Sequence, residues 1–144
     1  MEKGINASIR EWFALEEVDI RTYSPLALAY IGDGIFELVI RSIVVGRGNR
    51  RPGELDRRTS HFAKAQTQAK LAEKLLPFLT EEELAAYRRG RNAHSQTVAR
   101  HASVQDYRKA TGLEALFGFL YLTDRFDRIL FLVQKGLEEL GERI

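Results

Sequence analysis

Cysteine is absent from this chain of 144 residues, and proline occurs only three times. Without cysteine there is no disulfide scaffold, no thiolate zinc site and no cysteine nucleophile, and the absence fits a reducing compartment. Pro25, Pro52 and Pro77 each fall where a helix can start or a loop can turn, so the long segments between them are free to be helical. Uninterrupted apolar runs are missing too. The most apolar stretch, Leu26 to Val45, is broken by Asp33, Glu37 and Arg41, which argues against a membrane span of about 20 apolar residues. The opening MEKGINASIREWF has neither an apolar centre behind basic residues nor a small-residue cleavage site, so the expectation is a soluble, cytoplasmic protein with no secretory signal. Repeats, low-complexity tracts, linkers and period-two alternation are also lacking. What remains is an all-α chain in one domain, residues 1–144, with residues 1–23 as an amino-terminal segment packing on the body. A chain of this length buries roughly 68–70% of its unfolded surface, so one core suffices to hold it.

The formal net charge is only +2, but the charge is unevenly distributed. Residues 1–20 carry Lys3 and Arg10 against Glu2, Glu11, Glu16, Glu17 and Asp19, a balance of −3. Residues 41–58 carry Arg41, Arg47, Arg50, Arg51, Arg57 and Arg58 against Glu54 and Asp56, a balance of +4. Residues 88–109 carry Arg88, Arg89, Arg91, Arg100, Arg108 and Lys109 against Asp106, a balance of +5. Arginine-rich blocks suit a phosphate backbone, because the guanidinium fork pairs with phosphate oxygens. On charge alone, a solvated face explains them equally well.

Ser24-Pro25 before Leu26 reads as an N-cap with proline at the first helical position, opening a long helix to about Val45. The stretch GRGNRRPGE then forms a loop. From Leu55 to about Leu76, apolar and small residues at helical spacing predict a second long helix. Thr80 followed by Glu83 is a capping box, starting a helix that ends near Gly90. Further helices are expected from about Ser95 towards Lys109, from Gly112 to Leu122, and from a cap at Asp124 to about Leu140. Phe117, Phe119, Tyr121, Phe126 and Phe131 follow the helical pattern and are expected in the core or at a dimer interface. Trp12, beside Phe13, is expected to anchor the amino-terminal segment to the body.

Two carboxylates stand out. Asp33 lies between glycines in YIGDGIF, and Glu114 is the one charged residue in the apolar run from Gly112 to Leu122. A buried carboxylate is costly unless it is paired or bound to a metal. Two of them in one pocket repel unless a cation lies between, and hard oxygen ligands without cysteine or paired histidines favour magnesium or manganese. Glu37, one turn after Asp33, is placed to support such a site. The residues alone leave open a second explanation, in which Asp33 and Glu114 each make an interior salt bridge or hydrogen bond.

The segments SPLALAYIGDGIFELVIR, RRTSHFAKAQTQAKLAEKL, RRGRNAHS and YRKATGLEALFGFLYL, in that order across roughly residues 24–122, resemble Mini-ribonuclease III, the ribonuclease III relative without a double-stranded-RNA-binding domain. The resemblance implies the helical ribonuclease III endonuclease fold, a homodimer with two active centres on one RNA duplex, and Mg²⁺ (with Mn²⁺ as substitute) held by Asp33 and Glu114. It further implies hydrolysis to 5′-phosphate and 3′-hydroxyl ends. The implied substrate is the paired stem of precursor 23S ribosomal RNA, with a ribosomal protein as a partner that presents the stem. Larger ribonuclease III enzymes carry further acidic residues where this chain has Ala29 and Thr111, a reduction that the mini-type relatives share. Thr111 is therefore a candidate supporting residue.

RNA contacts are expected from Arg50 and Arg51 and from Arg88, Arg89, Arg91, Asn92, His94 and Ser95. His94 stands where the resemblance implies lysine, which would make that phosphate contact pH-dependent near the ordinary histidine pKa of about 6.5. The competing reading is a non-catalytic RNA-binding relative serving as a structural part of a ribonucleoprotein.

Overall fold

The Ser24 hydroxyl accepts a hydrogen bond from the Ala27 amide at 3.1 Å, and Pro25 takes the first helical position. From this cap a helix runs without interruption over Pro25–Arg47, and its buried side carries Leu28, Gly32, Ile35, Phe36, Val39, Ile40 and Val44. In the computed structural model, which describes residues 4–93 and 103–144, all regular structure is helical. The helices are α1 (Ile5–Trp12), α2 (Pro25–Arg47), α3 (Pro52–Ala63), α4 (Ala65–Leu75), α5 (Glu81–Arg91), α6 (Val104–Leu122) and α7 (Phe126–Leu140). Short 3₁₀ turns at Ile20–Thr22 and Leu76–Phe78 join some of them.

Helix α6 is the axis of the molecule. It packs against α2, α4 and α5, and from Ala110 to Tyr121 every residue except Glu114 is buried. A helix enclosed on several sides has no polar face to keep, which is why this segment is apolar all round. Two glycine contacts set its distance from its neighbours. A Cβ on Gly32 would lie 1.7 Å from the Glu114 carbonyl oxygen, and one on Gly118 would lie 1.9 Å from the Leu28 carbonyl oxygen. The α2 and α6 backbones therefore cross in direct contact, and Phe36 stacks on Phe117 beside the crossing with ring centroids 5.6 Å apart.

Several expectations need correction. The long helix expected from Leu55 to about Leu76 is two helices broken at Lys64, whose backbone is extended. Helix α3 lies along α2 while α4 lies along α6 and α7, and one straight rod cannot serve both directions. The Thr67 hydroxyl donates to the His61 carbonyl at 2.7 Å, satisfying an acceptor left over by the break. Gly112 is no boundary either, since α6 continues through it. Its missing Cβ makes room for the Tyr87 carbonyl, which a Cβ would approach to 2.8 Å. The helix start expected at Ser95 lies outside the described residues; α6 begins at Val104, with Ser103 as its cap.

Asp124 ends α6 and does not cap α7. It adopts a left-handed conformation (φ 59°), its amide bonds the Tyr121 carbonyl, and the Arg125 amide bonds Leu120, which is a Schellman closure. Trp12 is 86% exposed and does not anchor the amino-terminal segment. Phe117, Phe119 and Tyr121 are buried as expected, Phe126 is half-buried, and Phe131 is exposed.

The Thr80 capping box forms in full, with Glu83 accepting from the Thr80 amide at 2.9 Å and Thr80 accepting from the Glu83 amide at 3.2 Å. Glu83 is 2% exposed and also receives two hydrogen bonds from Arg128 of α7, at 2.7 and 2.8 Å. This fully paired ion pair ties the start of α5 to α7. Burial works against the Glu83 carboxylate, but the Arg128 guanidinium and the Thr80 hydrogen bonds together hold its pKa below the usual value.

Candidate active site

The crossing of α2 and α6 builds the site. Gly32 faces α6, so the next residue, Asp33, turns outward by about 100° and emerges at the edge of the contact. On α6, Glu114 is the residue whose carbonyl Gly32 touches, and Gly118 lies one turn beyond. The two carboxyl groups therefore meet, with a hydrogen bond between the Asp33 and Glu114 side chains. Asp33 is exposed, which corrects the expectation that it is buried, and Glu114 is half-buried. Gly34, on the outer side, has nothing within 4 Å of where a Cβ would stand, so the approach to Asp33 is open.

The electrostatics of the pair are one-sided. Burial, the hydrogen bond that the protonated Glu114 carboxyl donates to Asp33 and the Asp33 charge all act in the same direction and push the Glu114 carboxyl up to about 9. No cation among the described residues offsets them. Without a positive charge between the two groups, Glu114 keeps its proton at neutral pH. Among the described residues Glu114 has no arginine partner, and its interior hydrogen bond is to the other candidate carboxylate, Asp33. Oxygen ligands at one edge, open to solvent on one side, suit a hard divalent cation that keeps waters in its shell. No group of three or more His, Asp or Glu residues gathers among the described residues, which bring this one carboxyl pair together.

The other expected residues are distributed more widely. Glu37 is engaged by Arg41 one turn further along α2, at 2.6 Å, on the exposed side. Thr111, one turn before Glu114, is buried and donates its hydroxyl to the Tyr107 carbonyl at 2.9 Å. Arg50 pairs with Glu54 at 3.1 Å, and its Nε is buried with no partner among the described residues. Arg51 stands exposed at the cap of α3. Arg88 and Arg89 are exposed on the last turn of α5, where Arg89 donates to the Tyr23 carbonyl at 3.2 Å. Arg91 lies over the Tyr87 ring and donates to the Asn92 side chain at 3.2 Å. His94 and Ser95 lie outside the described residues.

The residues that sequence reasoning missed are the glycines of the crossing, above all Gly118. A signal existed. Glycine inside a helix costs about 1 kcal/mol relative to alanine, so Gly118 in the middle of the most apolar helix calls for a packing reason.

Residues 26–125 match the family described as "Ribonuclease III domain". Among curated proteins, the chain is 43% identical to the Mini-ribonuclease 3 of Enterococcus faecalis over 86% of this chain and 96% of that protein. It is 38% identical to the Mini-ribonuclease 3 of Clostridium tetani over 93% of each chain. With the Mini-ribonuclease 3 of a Thermoanaerobacter species it shares 36% identity over 99% of this chain and the whole of that one. A crystal structure of a protein from Fusobacterium nucleatum superposes with a TM-score of 0.75 at 33% identity, covering 82% of this chain and 96% of that one.

Proposed function

From the premise that the chain belongs to the Mini-ribonuclease III branch of the ribonuclease III family, we propose a Mg²⁺-dependent endoribonuclease that cuts double-stranded RNA at Asp33 and Glu114. One observation carries this reading. Two carboxyl groups are pressed together by a glycine crossing with no cation among the described residues offsetting them, an arrangement that a divalent metal stabilises.

Asp33, exposed at the edge of the crossing, offers a first oxygen ligand to Mg²⁺, with Mn²⁺ as substitute. Glu114 offers the second once it gives up its proton, and its place on the rigid central helix fixes the position of that oxygen. When bound, the metal supplies Lewis acidity toward phosphate oxygen and toward water. Cleavage leaves 5′-phosphate and 3′-hydroxyl ends. Arg51, Arg88 and Arg89 present exposed guanidinium groups for the duplex backbone, and Arg50, Arg91 and Asn92 shape the two basic segments that flank it. Duplex RNA is recognised mainly by shape, phosphates and 2′-hydroxyls, which suits this arginine-rich surface.

The substrate we infer is the paired stem of precursor 23S ribosomal RNA, met in the cytoplasm, with a ribosomal protein presenting it. No helix among the described residues is long and apolar enough to cross a membrane. We place the homodimer contact on the outer stripe of α2, where Leu26, Tyr30 and Leu38 are exposed on one face and Gly34 lies between them. Incubating the protein with labelled RNA duplex, the matching single strand and the matching DNA duplex, with Mg²⁺ or with chelator, tests the reading. Cutting confined to duplex RNA with metal supports it; binding without cutting on a ribosomal precursor stem favours a structural RNA-binder.

A further inference from the structure

The amino-terminal helix is mounted inside out. On α1, Ile5, Ile9 and Trp12 recur at helical spacing and form one apolar stripe, which Phe13 extends. All four side chains are exposed, Trp12 at 86% and Phe13 at 73%, while the one buried residue of the helix is Asn6. Its side chain reaches Asp124 at 3.4 Å. A surface helix of a finished protein buries its apolar stripe and shows its polar side to water. Leu15 and Val18, in the irregular segment that follows, are exposed as well. A contiguous apolar patch of this kind marks an interaction surface.

The charge pattern narrows the occupant. Along the arm, Glu11, Glu16, Glu17 and Asp19 outnumber Arg10 and Arg21, which pair with Glu17 and Asp19, so the described part of the arm is net acidic. An acidic rim repels nucleic acid and anionic lipid, both of which call for lysine and arginine on the polar face. Protein is left.

Area then points to a second copy of this chain. The α2 stripe supplies one aromatic ring, Tyr30 at 84% exposure, and two partly exposed leucines. A stable interface covers roughly 800 Å² per partner, and a buried aromatic side chain contributes about 150–250 Å². The α2 stripe alone falls well short. Adding Trp12 and Phe13 to Tyr30 brings the three aromatics to on the order of 500 Å², and the half-exposed aliphatic side chains of the arm and of α2 supply the remainder. The arm also enters α2 at the end that carries Leu26 and Tyr30, so the two stripes are adjacent along the chain.

We propose that the amino-terminal arm, through Ile5, Ile9, Trp12 and Phe13, forms the second half of the homodimer interface and packs on the partner copy next to the α2 stripe. This rests on the homodimer reading given above.

Trp12 is the sole tryptophan, so its emission reports on the arm directly. The experiment is a dilution series of the full chain by sedimentation and tryptophan fluorescence, repeated with Ile9→Ser/Phe13→Ser. Both residues are exposed within one copy, and circular dichroism checks that the variant is folded. The expected result is a dimer with blue-shifted emission that moves red as it dissociates, and a dimer Kd raised about 100-fold in the variant. A dimer with fully red emission, or an unchanged Kd in the variant, overturns the arm's role and leaves the homodimer standing. Blue-shifted emission that does not change on dilution through dissociation overturns it in favour of packing within one copy. A monomer at every concentration removes the homodimer reading and this inference together.

Discussion

Gly32→Ala is the substitution that probes the architecture of the site most sharply. The added Cβ would stand 1.7 Å from the Glu114 carbonyl oxygen and 2.7 Å from the Gly118 amide nitrogen, and both are backbone atoms that cannot rotate away. Ordinary contact begins at 3.4 Å, so α2 must retreat from α6 by roughly 1.5 Å at the crossing. Overpacking of this kind costs about 1–3 kcal/mol or more, equivalent to a Tm loss of roughly 3–9 °C in a domain of this size. The same retreat carries Asp33 away from Glu114. A displacement near 1 Å at reacting groups lowers rates about 100-fold. Single-turnover cleavage of duplex RNA at saturating Mg²⁺, alongside thermal unfolding and RNA binding, separates the effects. The expected outcome is a rate down at least about 100-fold with RNA affinity nearly unchanged. Gly46→Ala, on the same helix with open space around it, serves as control and should gain roughly 0.5–1 kcal/mol. A Gly32→Ala protein with the parent's rate and stability would refute the claim that backbone contact sets the carboxylate pair.

The metal-free protein should lose stability as pH rises. Glu114 titrates near 4.5 when unfolded and near 9 when folded, so the folded state holds the extra proton between these values and its advantage is lost on passing through them. Thermal unfolding from pH 5 to pH 9 in chelator should show this decline, Glu114→Gln should flatten it, and Mg²⁺ should offset it at the alkaline end. Arg128→Ala leaves the Glu83 charge buried and unpaired, which should cost about 3 kcal/mol, read as a fall in the denaturation midpoint with duplex cleavage retained at low temperature. RNA affinity should fall steeply with added salt, and Arg88→Ala should reduce the slope of log Kd against log salt by about one without changing the cleavage position.

Much of the fold was legible in the sequence because capping is local chemistry. Ser24-Pro25 and the Thr80 to Glu83 box start helices where expected, since each supplies a side-chain acceptor for an orphan amide within three residues. The failures were long-range. The break at Lys64 answers to two different packing partners, and the apolar spacing on either side runs through it with no local mark. Gly112 looked like the start of a helix because its packing role against Tyr87 comes from another helix. Asp124 looked like a cap because its residue type suits both a cap and the left-handed end of the preceding helix. At the site, Asp33 and Glu114 stood out as carboxylates in apolar company. Their meeting depends on Gly32 and Gly118, which are 86 positions apart along the chain and show no pattern that pairs them. Trp12 misled for a similar reason, since a stripe of large apolar residues predicts burial without saying against what.

The most direct test of the central claim is cleavage of a labelled RNA duplex in Mg²⁺ by the unmodified chain, Asp33→Asn and Glu114→Gln, with RNA binding measured separately for each. The account predicts that all three bind alike, that only the unmodified chain cuts, and that both variants are folded at neutral pH. Cleavage by either variant at a rate within a few-fold of the parent would contradict it.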